Sequence, residues 1–519
     1  MSTARTVGSR LGAIFFALAL AACATGDRTE EDKKFSRFAA TEVLTAGFAG
    51  IADKYIEPVS AGTLALEGLR GLGAIDPGLA ISDDGGTIVM TSGGEIVAQR
   101  PAPAEDDLRG WTRLAVEMSA ESRRHSAELG AASIEKIYEA VFDGALSNLD
   151  VYSRYAGAEE AQKNRARRDG YGGIGVRLRI IGKEIRVASV MADSPAERVG
   201  ILKNDRLTHV GSVPVDGMSV HEISRQLRGP SQSHVTLRLL RDGNMYPLLL
   251  NVERAHIVPA TVDVTTRDGV IHAKISSFNQ DTAHSLEVKI LSARDALGGA
   301  FRGLVLDLRG NPGGLLKQSV KVADLFLAQG RILATRGRHP DSLQHYEAAG
   351  RDIVDGRPIV VMIDGKSASA AEIVAAALQD RDRAVVVGTT SYGKGTVQTV
   401  IRLPNEGEIT LTWSRLLTPT GYALHGLGVR PAICTSGAGD AERAIREALT
   451  ATSGAATALA AWRRVGIADE DARIELRATC PPDPHDQAVD VAVAGRLLAE
   501  PPLYDGARSL RGATAEARY

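Results

Sequence analysis

Between residues 256 and 433 the chain alternates short apolar runs with longer segments, and loops rich in glycine and small polar residues follow the apolar runs. Runs this short and rich in β-branched residues predict buried strands. We predict strands at 304–308, 359–363, 384–387 and 396–401, and helices at 315–327 and 371–379. Strand–loop–helix units of this length predict an α/β layer whose functional residues lie on loops at the C-terminal ends of the strands.

The rest of the chain predicts further domains, as its length of 519 residues suggests. We assign 41–169 to an N-terminal helical region with a hairpin inserted at 85–100, 256–435 to the α/β layer, and 436–519 to a C-terminal helical region. Within the N-terminal region, apolar residues recur at helical spacing in three segments, which are 41–75, 106–128 and 131–148.

Residues 170–255 have a different character, with short strands predicted at 187–190 and 235–240 and short helices at 195–200 and 220–227. The segment resembles the PDZ domain of exported bacterial proteases, although Asn204 stands where that family usually has glycine. In such a domain, backbone N–H groups of a glycine-rich loop bind a terminal carboxylate, and the peptide adds as a strand to the sheet edge. A plain glycine-rich turn is the alternative. The loop residues implied are Tyr171, Gly172, Gly173, Ile174, Gly175 and Val176, with Ile174 and Val176 lining an apolar pocket.

The loops of the α/β layer contain three motifs, which are DLRGNPGG at 307–314, SASAAEI at 367–373 and YGKGTVQ at 392–398. These three motifs resemble the core motifs of the C-terminal processing (tail-specific) peptidases. The similarity runs from about residue 130 to 435 and implies a ClpP/crotonase-like protease core. Departures occur at Gly310, at Tyr392 and in the Asp150-Val-Tyr-Ser segment, and none of them falls on a catalytic position.

The resemblance and the chemistry point to the same residues. A serine hydroxyl needs a base, and His425 is the only histidine near the motifs, so Lys394 is the expected base for Ser369. The lysine must lose its charge by desolvation to accept a proton near neutral pH. Gln398 follows four residues later, and on a strand it would share a face with Lys394 and hold the amine without adding charge.

An oxyanion hole needs backbone N–H donors. Ala370 supplies one at a helix N-terminus, and either Gly313 or Gly314 supplies the other; the sequence does not choose between the two glycines. Each residue also has an ordinary interpretation, in which the serine is a helix cap, the lysine a solvated turn residue and the glycines part of a β-turn. Ser367 could take either the catalytic or the structural part.

The composition excludes some classes of function. Lys and Arg total 61 against 63 Asp and Glu, so the chain lacks the basic excess of a nucleic-acid-binding protein. No cysteine–histidine cluster predicts a metal site, and the resemblance implies no cofactor. The Ser133-Ile-Glu-Lys136 segment fits the S-x-x-K pattern of penicillin-binding enzymes, but their companion motifs are missing and helical surface residues explain it.

The first residues predict export. Arg5 and Arg10 precede an apolar segment too short to span a bilayer, so 1–22 is expected to be a signal peptide. The sequence Leu-Ala-Ala-Cys ending at Cys23 resembles the bacterial lipobox, whose cysteine is lipidated; an ordinary signal peptide is the alternative. Residues 23–40 would tether the protein to the periplasmic side of the envelope, with the outer membrane favoured because Ala24 replaces the Asp of inner-membrane lipoproteins.

The other two cysteines, Cys434 and Cys480, could form a disulfide in an exported chain or stay as buried thiols. We therefore expect a secreted serine endopeptidase that selects proteins with free C-termini through its PDZ domain. The alternative is a catalytically silent PDZ scaffold that binds protein tails. The sequence identifies neither the physiological substrate nor whether the protein forms a homo-oligomer.

Overall fold

The computed structural model describes residues 35–450 and 454–510. The predicted signal peptide, Cys23 and most of the predicted tether lie outside the described residues. The tether was predicted to extend to residue 40, but the first helix already begins at Arg37, because Ser36 caps it by accepting the N–H of Ala39 at 3.3 Å.

The N-terminal region has two helices in place of the single one predicted at 41–75, because the chain leaves helical geometry between Tyr55 and Ser60, around Pro58. The predicted hairpin is a three-stranded antiparallel sheet, since a further strand precedes it. The elements are α1 Arg37–Lys54, α2 Ala61–Gly71, β1 Leu79–Asp83, β2 Thr87–Ser92, β3 Glu95–Pro101, α3 Leu108–His125, α4 Ala127–Ala131 and α5 Ile134–Leu146, with a 3-10 turn at Leu72–Ala74.

A short strand and a helix lead from this region into the PDZ domain, and their bounds are β4 Arg154–Ala156 and α6 Ala158–Asp169. The main sheet of the domain has the order β11-β10-β8-β7-β6, so β6 is an edge strand, and α8 packs beside it. β9 pairs with β8, and β5 and β12 form a separate two-stranded sheet. Its elements are β5 Tyr171–Gly173, β6 Val176–Ile181, β7 Glu184–Val190, α7 Pro195–Arg198, β8 Arg206–Val210, β9 Val213–Pro214, α8 Val220–Leu227, β10 His234–Leu240, β11 Leu248–Glu253 and β12 Ala255–Ile257.

The α/β region contains two sheets. The first has the order β13-β14-β15-β18-β19-β22 and is parallel except for β13. The second is antiparallel, β17-β16-β21-β20, with β4 paired to β21. Their elements are β13 Val262–Arg267, β14 Val270–Ile275, α9 Thr282–Leu297, β15 Gly303–Asp307, α10 Leu316–Asp324, β16 Gly330–Arg336, β17 Gln344–Ala348, β18 Ile359–Ile363, α11 Ala370–Asp380, β19 Val385–Gly388, β20 Thr396–Arg402, β21 Glu408–Leu417 and β22 Ile433–Cys434, with 3-10 turns at Gly298–Ala300 and Pro340–Ser342.

Five helices follow: α12 Ala441–Leu449, α13 Ala455–Arg464, α14 Glu470–Ala478, α15 Gln487–Ala499 and α16 Pro501–Ser509. Residues of α12, α13, α15 and α16 cover one face of the parallel sheet, where Val493 and Leu497 of α15 pack against Val305 and Val360. Neighbouring strand residues such as Leu304 point to the opposite face and join the core formed with α9, α10 and α11. Burial of both faces explains why these strands are continuous apolar runs without alternation.

Candidate active site

Ser369 lies after β18, at the N-terminus of α11, where the sequence predicted a strand–loop–helix connection. Its backbone has φ 53° and ψ −111°, a region that residues other than glycine rarely adopt. Such a conformation costs about 1–3 kcal/mol and persists only where the surroundings hold it. The side chain of Ser369 lines a cleft in the described part of the protein, at the junction of the two sheets of the α/β region.

Glu372 holds this conformation. Its carboxylate is fully buried and accepts the backbone N–H of Ser369 at 2.7 Å, of Gly393 at 2.6 Å and of Lys394 at 2.9 Å, and the hydroxyl of Ser391 at 2.5 Å. Burial raises the pKa of Glu372, and the four donors oppose that shift. Because all four contacts come from donors, the group is best satisfied as a carboxylate. One side chain thus joins the serine segment to the lysine segment.

Lys394 precedes β20 in the turn that Glu372 binds. Burial lowers the pKa of its amine, and the guanidinium of Arg154 lowers it further, while the carboxylates of Asp150 and Glu372 oppose the shift. The Nζ atom lies 4.9 Å from the ring centroid of Tyr152. The environment therefore favours the neutral amine more than water does, as a base near neutral pH requires.

Tyr152 is one of the departures from the family pattern, and the structure places its ring against the amine of Lys394. Burial, which is the largest cause, and the hydrogen-bonded Tyr392 together raise the pKa of Tyr152 to about 12. Asp150 orients the segment by accepting the backbone N–H of Tyr152 at 2.7 Å. The sequence placed the departures off the catalytic positions, but one of them, Tyr152, lies against the amine of the proposed base.

The side chains of Ser369 and Lys394 make no direct hydrogen bond in the described part of the chain. Ser369 and Gln398 line the same cleft, which has a volume of about 390 Å³, whereas Lys394 is not among the lining residues. In proteins without bound substrate, catalytic hydrogen bonds are often long and tighten only when substrate arrives.

The strand around Gln398 departs from the regular alternation that was expected to place it on the same face as Lys394. β20 begins only at Thr396, and a β-bulge between Val397 and Gln398 breaks the alternation on which that prediction relied. The amide nitrogen of Gln398 donates to the hydroxyls of Thr396 at 3.0 Å and Thr412 at 3.3 Å. Among the described residues it makes no hydrogen bond to Lys394.

The two candidate oxyanion glycines differ in their hydrogen bonds. The N–H of Gly313 donates to Oδ1 of Asn311 at 2.8 Å, whereas the N–H groups of Gly314 and Ala370 have no hydrogen-bond partner among the described residues. Gly313 has φ +100°, and a Cβ there would lie 2.9 Å from Cβ of Ser369. The close approach requires glycine at 313, and it brings the glycine turn against the serine.

Two other serines have structural roles. Ser367 is fully buried, and its hydroxyl donates to the carbonyl oxygen of Leu308 at 2.9 Å, so it holds the loop instead of facing the cleft. Ser133 caps α5 by accepting the N–H of Lys136 at 3.3 Å, as expected for helical surface residues.

The C-terminal region supports both the turn that contains Lys394 and the loop after β15. The sequence did not predict this support. Arg477 of α14 donates to the carbonyl oxygens of Ser391 at 3.1 Å and Leu427 at 2.5 Å. A disulfide joins Cys480, just after α14, to Cys434 of β22.

The loop after β15 is held by the same region. Arg309 pairs with Asp307 at 2.8 Å and with the fully buried Asp490 of α15 at 3.1 Å. His485 contacts the same Asp490 carboxylate at 2.7 Å, and this hydrogen bond raises the pKa of the histidine. The glycine turn that faces Ser369 is therefore continuous with a segment anchored to the C-terminal helices.

The loop predicted to bind a peptide carboxylate lies at the start of the edge strand β6. Its first three residues, Tyr171–Gly173, form β5 and pair with β12, and the guanidinium carbon of Arg228 lies 4.2 Å from the centroid of the Tyr171 ring. Gly175 has φ +81° and turns the chain into β6. Ile174 is buried in the core of the domain, and Val176 is half-buried against it.

No histidine lines the cleft within the described residues, and the ring centroid of His425 is 6.2 Å from that of Tyr152. Within 35–450 and 454–510, no group of three or more histidine, cysteine or acidic side chains is arranged to hold a metal ion. The helices of those same ranges include none with the length and apolarity needed to cross a bilayer.

Comparison with known proteins identifies the family of this chain. The profile of peptidase family S41 matches residues 269–435, and that of the PDZ domain matches 186–241. A carboxy-terminal-processing protease of Bartonella bacilliformis is 36% identical over 301 residues, which are 58% of this chain and 69% of the relative. A probable CtpA-like serine protease of Staphylococcus aureus is 32% identical over 304 residues, which are 58% of this chain and 60% of the relative.

Among solved structures, the photosystem II D1 C-terminal processing protease is 23% identical, with 72% of this chain and 92% of that chain covered and a TM-score of 0.36. The fold and the family matches together define a serine-type peptidase that carries a PDZ domain. The chain belongs to peptidase family S41, the family of the carboxy-terminal-processing proteases. The resemblance, the mixed α/β multidomain fold and the enzyme class inferred from the sequence are thereby confirmed.

Proposed function

We propose that the protein is an endopeptidase in which Ser369 is the nucleophile and Lys394 the general base. The observation that carries this proposal is the buried Glu372 carboxylate, which binds the backbone N–H of both residues. The lowered pKa of Lys394 and the strained backbone of Ser369 support the same roles. Strain and perturbed pKa values concentrate at functional sites.

The reaction follows from these roles. The neutral amine of Lys394 takes the hydroxyl proton as Oγ of Ser369 attacks the scissile carbonyl carbon. The resulting ammonium returns a proton to the leaving amine when the peptide bond breaks, which leaves an acyl ester on the serine. Water then attacks the ester, the lysine again takes and returns a proton, and the new carboxyl terminus is released.

The oxyanion of each tetrahedral intermediate would be bound by the backbone N–H groups of Gly314 and Ala370. Both donors are free of other partners among the described residues, and Ala370 begins a helix whose dipole favours negative charge. Gly313 would act by allowing the close approach of the turn to Ser369, since its own N–H is bound to Asn311.

The PDZ domain would select substrates by their C-terminal tails. The edge strand β6 offers unpaired backbone groups for an added strand, and α8 lies beside it. The loop at 171–176 would receive the terminal carboxylate. Amidation of a substrate's C-terminus should then slow cleavage, through KM if the domain only tethers the substrate. Equal kinetics for free-acid and amidated substrates would reject tail recognition while leaving the catalytic proposal intact.

We also propose export and lipid anchoring through Cys23, on the periplasmic side of the envelope. The lipobox-like sequence supports this, and so does the disulfide, because disulfides form and persist in oxidising compartments. A Cys23→Ala variant should move from the membrane fraction to the soluble fraction. Retention of that variant in membranes would argue against the lipid anchor.

One experiment tests the catalytic proposal: incubation of the chain from residue 23 onward, carrying Cys23→Ser, with unfolded exported proteins. Ser369→Ala and Lys394→Ala should each abolish cleavage and leave the circular dichroism spectrum unchanged. Lys394→Arg should also be inactive, because a guanidinium stays charged near neutral pH. Turnover by the Lys394→Ala protein at the rate of the unchanged enzyme would refute the dyad, and no cleavage by any form would favour the non-catalytic scaffold.

A further inference from the structure

The cleft that holds Ser369 combines an apolar wall with arginines. Its apolar lining comes from the loops before α9 and α10, from α11 and from the second sheet, and includes Phe278, Leu315, Leu316, Ile373, Val397 and Leu416. Arg154 of β4 and Arg167 and Arg168 of α6 line the same cleft. The nucleophile therefore shares its cleft with three guanidinium groups.

One of these arginines already has an acidic partner. Arg168 contacts Glu408 at 3.3 Å, and the adjacent Arg165 contacts the same carboxylate at 3.0 Å. Glu408 is only 2% exposed, and among the residues that the structure describes it is the single acidic one that lines the cleft. Its charge is therefore neutralised from within the protein.

Arg154 and Arg167 have no such partner. Both are exposed, and in the described ranges neither forms an ion pair. Arg154 donates one long hydrogen bond within the described part of the chain, at 3.5 Å to the carbonyl oxygen of Tyr152. The cleft that Ser369 lines thus presents two guanidinium groups without an ion-pair partner, and the acidic residue among its described lining residues, Glu408, is already paired.

A guanidinium binds a carboxylate through paired N–H donors, and such charged hydrogen bonds are roughly twice as strong as neutral ones. We propose that Arg154 and Arg167 bind a carboxylate of the substrate close to the scissile bond. The inference rests on the proposed function and gives its substrate class: peptides with an acidic side chain, or with their own C-terminal carboxylate, within a few residues of the bond that is cut.

The test compares cleavage of matched peptides by the whole enzyme. One series places Glu or Gln at successive positions around a single cleavage site in C-terminally amidated peptides. A second series keeps all side chains neutral and moves a free C-terminus closer to the site. A preference in the first series would identify an acidic side chain as the bound group. A preference in the second series would identify a terminal carboxylate.

The variants are Arg154→Gln, Arg167→Gln and the double variant, and the matched control is Lys163→Gln. Lys163 lies on the same helix as Arg167 and loses the same charge, but it pairs with Glu159 at 2.8 Å and does not line the cleft. Because Arg154 also lowers the pKa of Lys394, the readout is the ratio of kcat/KM for the acidic and neutral peptides, not the absolute rate.

The enzyme is expected to prefer a carboxylate at one position or at the terminus by about tenfold to a hundredfold, as charged hydrogen bonds allow. The double variant should lose that preference, whereas Lys163→Gln should keep it. A preference that survives in the double variant, or equal rates for the acidic and neutral peptides in the unchanged enzyme, would overturn the inference.

Failure of the proposed function would look different. If no peptide is cleaved in a Ser369-dependent manner, the same peptide pairs can be bound to the Ser369→Ala protein and followed by fluorescence anisotropy. A carboxylate preference in binding that disappears with Arg154→Gln and Arg167→Gln would still support the cleft assignment. Equal binding of acidic and neutral peptides would overturn it. The PDZ domain is unchanged in these variants, so a preference that it causes would persist in them.

Discussion

At the residue scale, the buried carboxylate of Glu372 is the central feature of the site. A carboxylate removed from water is costly unless donors compensate, and Glu372 has four of them. Two of these donors belong to the backbone of the proposed nucleophile and the proposed base. Glu372 is thus a positioning residue, and the Ser-x-x-Glu spacing of a helix capping box was the sequence signal that could have identified it.

Glu372→Gln should strongly lower kcat. An amide nitrogen would face N–H groups, so at least one donor would lose its acceptor, at a cost of about 1–3 kcal/mol in the free energy of unfolding. Steady-state kinetics and urea unfolding measure the two effects. Glu347→Gln, on an exposed strand residue that pairs with Arg331, is the matched control. An unchanged kcat with lowered stability would restrict Glu372 to a structural role.

The pKa of Lys394 predicts how the rate depends on pH. The amine must be neutral to accept the serine proton, so kcat/KM should rise as pH increases through the lowered pKa of Lys394. Arg154→Gln removes a positive charge that disfavours the ammonium form, so its rising limb should shift to higher pH. A pH profile measured with a neutral peptide checks both statements, with Lys163→Gln as the control.

A pH-independent rate across the mildly acidic to alkaline range, with the fold intact, would contradict a lysine base. An Arg154→Gln profile that moves to lower pH would contradict the electrostatic account of its pKa.

At the scale of elements, α14 stabilises the turn that contains Lys394 from outside the range that the family profile matches. Arg477 donates to the carbonyl oxygen of Ser391, and the hydroxyl of that serine donates to Glu372. The helix lies beyond residue 435, where the family profile ends. The geometry of the proposed base thus depends on an element that the motifs do not include.

Arg477→Met should lower kcat by about tenfold, because two buried carbonyl oxygens lose charged donors worth about 1.5–3 kcal/mol and the turn loosens. KM should change little, since Arg477 does not line the cleft. Steady-state kinetics on one peptide checks whether kcat falls while KM stays nearly constant. Arg443→Met, on the exposed face of α12, is the control. Equal kcat values for the two variants would show that the contacts of α14 do not affect the catalytic rate.

At the scale of the whole molecule, the C-terminal helices complete the parallel sheet. They bury the face that carries Val305 and Val360, and the disulfide between Cys434 and Cys480 joins them to the last strand of that sheet. The region therefore belongs to the folding unit of the protease.

Replacing both cysteines by serine should lower the free energy of unfolding. The disulfide spans a sequence separation of 46 residues, for which loop-closure entropy predicts a loss of about 3–4 kcal/mol. Urea unfolding in oxidising and reducing buffer checks this, and reductant should not affect the double variant. If reduction leaves the unfolding midpoint of the unchanged protein where it was, the disulfide does not stabilise the fold.

Local pattern alone predicted most of the elements that carry the site. The strand at Ile359–Ile363, the helix after Ser369 and the strand at Thr396–Arg402 are present within one or two residues of their predicted bounds. These elements are short and strongly patterned, and the motifs between them are contiguous in sequence. For the same reason the family could be recognised from three short segments.

The sequence by itself determined the elements, the family and the residue types at the proposed dyad, because each depends on neighbours a few positions away. Only the tertiary structure decided which groups meet across long distances. It placed Tyr152 against Lys394, brought the Glu372 carboxylate to the backbone N–H of Lys394, and set Gln398 against the hydroxyl of Thr412 beside a β-bulge. These outcomes depend on hydrogen-bond competition and strand register between segments that are far apart in the chain. The periodicity of a single segment does not predict them.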